Sequence, residues 1–158
     1  MIGVSPGPRG TWGLFDPVAF GAPVDGVSDA TAAFTQMLAA IASQGGGSIY
    51  LAVAYSVTGP LDLPSNTLLF GPGELHQRAS NASLLTATNA TNVTLEGIGL
   101  KGLGASSGQS TVVTENGVVF TTCTNVLVDA VRITNFAGHP VRFNGCTNAE
   151  VSNSSVMY

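Results

Sequence analysis

Charge is what this sequence has least of. Asp, Glu, Lys and Arg together make up 9% of its 158 residues, where a soluble domain commonly carries about a quarter. Basic residues are fewest: Arg9, Arg78, Lys101, Arg132 and Arg142, against nine acidic ones, for a net charge of −4. Nucleic-acid affinity rests on neutralising phosphates, so no nucleic-acid partner is expected. Cysteine is almost absent, and Cys123 with Cys146 cannot make a disulfide scaffold. No apolar run approaches the ~18 residues of a membrane span, and Met1 to Pro6 show neither the basic nor the apolar region of a secretory signal. Acidic residues never fall as Asp-Asp or Asp-x-Asp, so a calcium cluster is not expected. His76 and His139 have no metal-ligand spacing, and no cofactor is expected. What is present is apolar and small. Hydrophobic residues are 44%, Gly numbers 20 and mean hydropathy is +0.34. That excludes a charge-rich disordered chain and a coiled coil. Hydroxyls and amides must supply the polar surface.

Three segments differ in composition. Residues 1–19 are rich in Gly and Pro, which exclude a helix or a central strand. They read as an extended arm with Trp12, Leu14 and Phe15 as apolar anchors, lying either on its own domain or on a neighbouring subunit, and Trp12 and Phe15 are the candidates for attachment. Residues 20–47 contain the one good helix, over 29–43: Phe34, Met37, Leu38 and Ile41 fall at i, i+3, i+4 and i+7. Ser28 or Asp29 can cap its start, and Gly45-Gly46-Gly47 stops it. Residues 48–158 are short β-branched runs cut by Gly, Asn and Ser.

Those runs repeat. Thr-Asn recurs at Thr91-Asn92, Thr124-Asn125 and Thr147-Asn148, and the flanks agree. Apolar residues stand two after the Thr (Val93, Val126, Ala149), four after (Leu95, Val128, Val151) and nine after (Leu100, Ile133, Val156). They also stand six before it, at Leu85, Val118 and Val141. The interleaved positions are mostly polar, which is period-two alternation in one register. The longer first interval fits a loop inserted over 102–111, and a weaker copy sits at Ser65-Asn66. A repeat built only of short strands predicts a parallel β-solenoid of about four to five coils, stacked ~4.8 Å apart. Asn92, Asn125 and Asn148 would then form an amide ladder at a turn. Cys123 and Cys146 would stack inside, either as two free thiols or as a disulfide, since stacked Cα atoms lie within bridging distance. Four Asn-x-Ser/Thr sequons, at Asn81, Asn89, Asn92 and Asn153, read as a by-product of the Asn- and Thr-rich composition.

Phe20-Gly21-Ala22, Asp25-Gly26, Asp29, Thr31-Ala32-Ala33, Gly46-Gly47, Ile49-Tyr50-Leu51 and Tyr55 together resemble the opening of the pectate-lyase-like right-handed parallel β-helix superfamily. The version they resemble is common in phage tailspikes and other virion appendages. The resemblance is specific from Phe20 to about Gly73 and continues through the coil pattern. It implies an all-β fold whose one helix caps the bottom of the solenoid, with Asp25, Gly26 and Asp29 structural rather than catalytic. The residues agree: Asp25-Gly26 is a turn pair, and an acid at a helix start meets free N–H groups. One departure is Ala52-Val53-Ala54, where the family usually places Pro and Gly before the aromatic residue.

Enzymes on this fold split polysaccharides, and hydrolases need a carboxylate pair. The repeat brings Glu96 over Asp129, both predicted outward, with Arg132 three residues on. If their coils are adjacent, the carboxyls approach the ~5 Å of a retaining glycosidase. The plainer reading is two solvated carboxylates beside a charge-balancing Arg. The leading functional expectation is a phage virion structural protein. It would be a short appendage, homotrimeric, assembled in the host cytoplasm, held to other virion proteins by its arm and binding host polysaccharide. The alternatives are the N-terminal part of a polysaccharide lyase or glycoside hydrolase, and a non-catalytic carbohydrate-binding module.

Overall fold

In a computed structural model, residues 13–104 and 114–158 are described; Trp12 and most of the expected 102–111 loop lie outside them. The chain winds as a right-handed parallel β-helix. Strand β1 (Leu14–Phe15) precedes a 3-10 turn, Pro17–Phe20, and helix α1 (Thr31–Gln44). The first coil is β2 (Gly47–Tyr50), β3 (Ala54–Val57) and β4 (Leu61–Asp62). The second is β5 (Thr67–Phe70), β6 (Glu74–Gln77) and β7 (Leu85–Thr88). The third is β8 (Thr91–Glu96), β9 (Gly99–Lys101) and β10 (Val118–Thr121). The fourth is β11 (Thr124–Asp129), β12 (Arg132–Thr134) and β13 (Val141–Asn144), and β14 (Thr147–Ser152) with β15 (Ser155–Met157) opens a fifth. Like strands stack into three sheets. Sheet A is β1-β2-β5-β8-β11-β14, sheet B is β3-β6-β9-β12-β15, and sheet C is β4-β7-β10-β13.

The repeat read from the sequence is the register of these ladders. Thr91, Thr124 and Thr147 are direct partners, as are Leu100, Ile133 and Val156 on sheet B and Leu85, Val118 and Val141 on sheet C. Inward residues therefore form columns through the core. Ile49, Leu69, Leu95 and Val128 make one such column and are all buried. Burying one such side chain contributes about 1.5–3 kcal/mol, so the columns hold the coils together. In the fifth coil the same inward positions are open, with Val151 46% and Val156 44% exposed.

Asn66 extends the predicted ladder downward. Asn92, Asn125 and Asn148 each donate from Nδ2 to the Oδ1 of the Asn one coil below, at 2.9, 3.1 and 3.1 Å. Asn66 itself donates to the Gly45 carbonyl at 2.9 Å. All four Asn have positive φ, between 53° and 60°, a region Asn tolerates better than other side chains that carry a Cβ. The ladder thus satisfies an amide and turns a corner at once.

Helix α1 closes the bottom with Phe34, Met37, Leu38 and Ile41, all buried. It begins two residues later than the cap residues predicted. Ala30 occupies the N-cap position without a side-chain bond, because Asp29 is held in a bridge to Ser56 of β3. Asp29 still meets the first-turn donors, accepting from the Thr31 N–H at 2.9 Å and from the Thr31 hydroxyl. The described end of the arm is extended and lies on this chain's own domain, one of the two surfaces expected for it. Leu14–Phe15 pairs in parallel with Ser48 and Ile49 at the edge of sheet A. The Phe15 ring stacks on Phe20 at 6.1 Å and fills the space over Gly47, where a Cβ would meet it at 2.8 Å. Phe15 is therefore half-buried against this chain's own core.

Candidate functional site

Alternation about the buried column of sheet A sends Tyr50, Phe70, Glu96, Asp129 and Ser152 outward as one row, each opposite the next. The Tyr50 and Phe70 rings lie 5.3 Å apart and tilted by 52°. Glu96 follows them and Asp129 follows Glu96, one strand spacing of ~4.8 Å further along. The predicted pair is thus brought together in register. Asp129 Oδ1 accepts from Asn153 Nδ2 at 2.8 Å and from Ser152 Oγ at 2.9 Å. These bonds, Asn153 first, hold its carboxyl below the ordinary carboxylate range. Asn153 reaches it because the A–B corner there is left-handed, at φ 49°, as it is at Ala130 one coil below. The row offers an apolar platform leading to two carboxylates, one of them kept ionised. An aromatic platform suits the apolar face of a sugar ring, and two carboxylates on adjacent strands are the pair of groups that glycoside hydrolysis uses.

Arg132 does not join them. It opens β12 on sheet B, beyond the corner, and its Nη2 lies 3.7 Å from Glu74 Oε1. Glu74 Oε2 in turn meets His76 Nε2 at 2.8 Å. The register explains the meeting: Glu74, Gly99 and Arg132 are successive partners, and His76, Lys101 and Thr134 are the next same-face column. Gly99 leaves the gap across which Glu74 lies, since a Cβ there would sit 2.6 Å from Glu74 Cγ. The His76 hydrogen bond first, then the charges of His76, Arg132 and Lys101, lower the Glu74 carboxyl against the opposing effect of burial. Sequence reading did not find Glu74, His76 or Lys101.

The remaining candidates serve the scaffold. Asp25 accepts from the N–H groups of Val27 and Ser28 at 2.9 and 2.8 Å and from Ser28 Oγ at 2.6 Å, and Gly26 turns at φ 70°. Led by the Ser28 hydroxyl, these donors hold Asp25 at about 2. Cys123 and Cys146 are free thiols, donating to the Ala87 carbonyl at 3.3 Å and the Phe120 carbonyl at 3.4 Å. Burial pushes the Cys123 thiol up, away from the reactive thiolate.

Three stacked parallel sheets, a helix across the bottom and an Asn ladder define a right-handed parallel β-helix. Solved structures with this fold include the exopolygalacturonase of Thermotoga maritima, with a TM-score of 0.79 at 20% identity over 90% of this chain and 46% of that one. The mannuronan C-5 epimerase A-module of Azotobacter vinelandii gives 0.71 at 20% over 88% and 43%. A Parabacteroides merdae protein assigned as a glycosyl hydrolase gives 0.69 at 18% over 91% and 76%. The chain spans less than half the length of the first of these. No family model and no curated relative matches it.

Proposed function

We propose that this chain acts on a polysaccharide, which it binds along the outer face of sheet A and cleaves with Glu96 and Asp129. The observation that carries the reading is the single outward row Tyr50, Phe70, Glu96, Asp129, in register on four successive strands. A glycan chain would lie across the strands with a ring on the aromatic pair and the scissile bond over the carboxylates. Asp129, kept ionised by Asn153 and Ser152, is the nucleophile, and Glu96 is the acid that protonates the leaving oxygen. The structural neighbours support the same class, being by description an exopolygalacturonase, a glycosyl hydrolase and a mannuronan C-5 epimerase on this fold. This reading takes precedence over the virion appendage, which rests on the resemblance of the opening segment. The homotrimer and the virion partners stay attached to that second reading, and light scattering on the purified chain tests the homotrimer.

The deciding experiment incubates the chain with a panel of neutral and acidic polysaccharides and follows new reducing ends and unsaturated products. Release by the wild type that is lost in Glu96→Gln and Asp129→Asn supports the proposal. Binding without release overturns the cleavage step and leaves a carbohydrate-binding module. Release that survives both substitutions places the chemistry elsewhere.

A further inference from the structure

The outer face of sheet B carries a charge pattern that the polysaccharide row does not use. Lys101 and Arg132, two of the chain's five Lys and Arg residues, stand on adjacent strands of this face. Arg132 opposes Gly99, and Lys101 is two residues further along the same strand and face. Strand rise and spacing put their Cα atoms on the order of 8 Å apart, a diagonal that two long side chains close. Two cations placed so would repel one another unless an anion shares them. The chain supplies one carboxylate, Glu74, on which both charges act; its hold on Arg132 is a 3.7 Å contact, beyond hydrogen-bond range, and one carboxylate balances only one of the two cations. Among the described residues, the Lys101 ammonium and the Thr134 hydroxyl beside it have no hydrogen-bond partner. The site therefore holds a surplus positive charge in a chain whose net charge is −4.

We propose that this face is a second binding site, for a tetrahedral oxyanion held between Lys101 and Arg132 with the Thr134 hydroxyl as a third donor. The ligand class is a sulfate or phosphate group, either as the free ion or as an ester on a sugar. The three donors share one outer face, Thr134 opposite Lys101 and Arg132 two residues before Thr134, and an anion with three or more acceptor oxygens offers one to each. Glu74 is then an internal competitor that tethers Arg132 when the site is empty of ligand. The site lies past the A–B corner from Asp129, so it stands or falls independently of the cleavage row.

The test is a nitrogen-resolved NMR titration of the full chain with sodium sulfate and with sodium phosphate, ionic strength being held constant with chloride. Saturating shifts centred on Lys101, Arg132 and Thr134 are expected. Lys101→Gln and Arg132→Gln should each weaken binding about fivefold, and Glu74→Gln should tighten it by a similar factor, the scale of one exposed charge contact. Glu96→Gln should leave the binding constant unchanged, which separates failure here from failure of the cleavage proposal. Sulfated galactose binding more tightly than inorganic sulfate, with unsulfated galactose as control, would assign the site to an ester on a glycan. Equal affinity would assign it to the free ion. Shifts that do not saturate, or that appear equally at Arg78 and Arg142, mark general screening and would overturn the proposal.

Discussion

Sheets A and B are wound from the same coils, yet their outer faces have opposite chemistry. Among the described residues, sheet A has no Lys or Arg on its strands; outward it carries two aromatic rings, then Glu96 and Asp129. Sheet B gathers Lys101, Arg132 and His76 around Glu74. The difference teaches how a solenoid makes a site. Each coil contributes one residue to each outward column, so a function needs only three or four positions aligned by hydrogen-bonded register. The inward columns can stay nearly uniform while each face is specified separately. A corner only two or three residues long keeps the two faces apart.

The largest effect should come from breaking the acidic row. Glu96→Gln and Asp129→Asn are each expected to lower polysaccharide turnover by about 10²–10⁴-fold, the range for removing a positioned acid or base. Lys101→Gln on the other face should leave turnover within about twofold, as substitutions at separate sites act independently. Turnover rates on one substrate check both.

Next is a change that should damage both faces alike. Asn125→Ala removes the amide that donates to Asn92 and accepts from Asn148, and it leaves an Ala at φ 58°. Lost bonds and left-handed strain together should cost about 2–4 kcal/mol, read from denaturant unfolding. Gly99→Ala should act on sheet B more narrowly. Its Cβ would meet Glu74 Cγ at 2.6 Å, pushing the flexible carboxylate aside at a cost of about 1 kcal/mol. Glu74 would then lose its position beside Arg132, while turnover on sheet A is unchanged.

Smaller effects sharpen the electrostatics. Asn153→Ala removes the leading donor to Asp129, so the Asp129 carboxyl should rise toward the ordinary range. An activity that needs this carboxylate ionised then fails at higher pH, and the acid limb of the pH–rate profile should move up. Asp25 gives a stability counterpart. Its folded value of about 2 lies below the unfolded value near ~3.9. Its contribution is therefore complete above the unfolded value and is lost as pH falls through about 2. The difference in Tm between wild type and Asp25→Asn should be constant near neutral pH and narrow in acid.

Much of the scaffold was legible because the solenoid writes its register into the sequence. Thr-Asn with apolar residues at fixed offsets predicted the partners on all three sheets, the Asn ladder and the Glu96–Asp129 juxtaposition. The sheet B cluster was hidden by one residue. The second coil turns its A–B corner in three residues, Gly71 to Gly73, where the third and fourth use two, Gly97-Ile98 and Ala130-Val131. Aligned on Asn66, Glu74 and His76 therefore fall one position out of register with Gly99 and Lys101. A lone Pro-Gly in the second coil was the available signal for that extra residue. Arg132 was misplaced for a related reason. Counting three residues on from Asp129 ignores the corner at Ala130, which carries Arg132 onto another sheet. The fate of Phe15 was not readable at all, since it depends on the space left by Gly47 and Ile41 in the folded coil.

The central claim is that the polysaccharide lies on sheet A. Mapping a bound oligosaccharide by NMR chemical shift on the Glu96→Gln chain tests it most directly, because binding is kept while turnover is stopped. The account predicts perturbations along Tyr50, Phe70, residue 96 and Asp129, fading toward sheet B. Perturbations confined to sheet B or to helix α1, with the aromatic pair untouched, would contradict it.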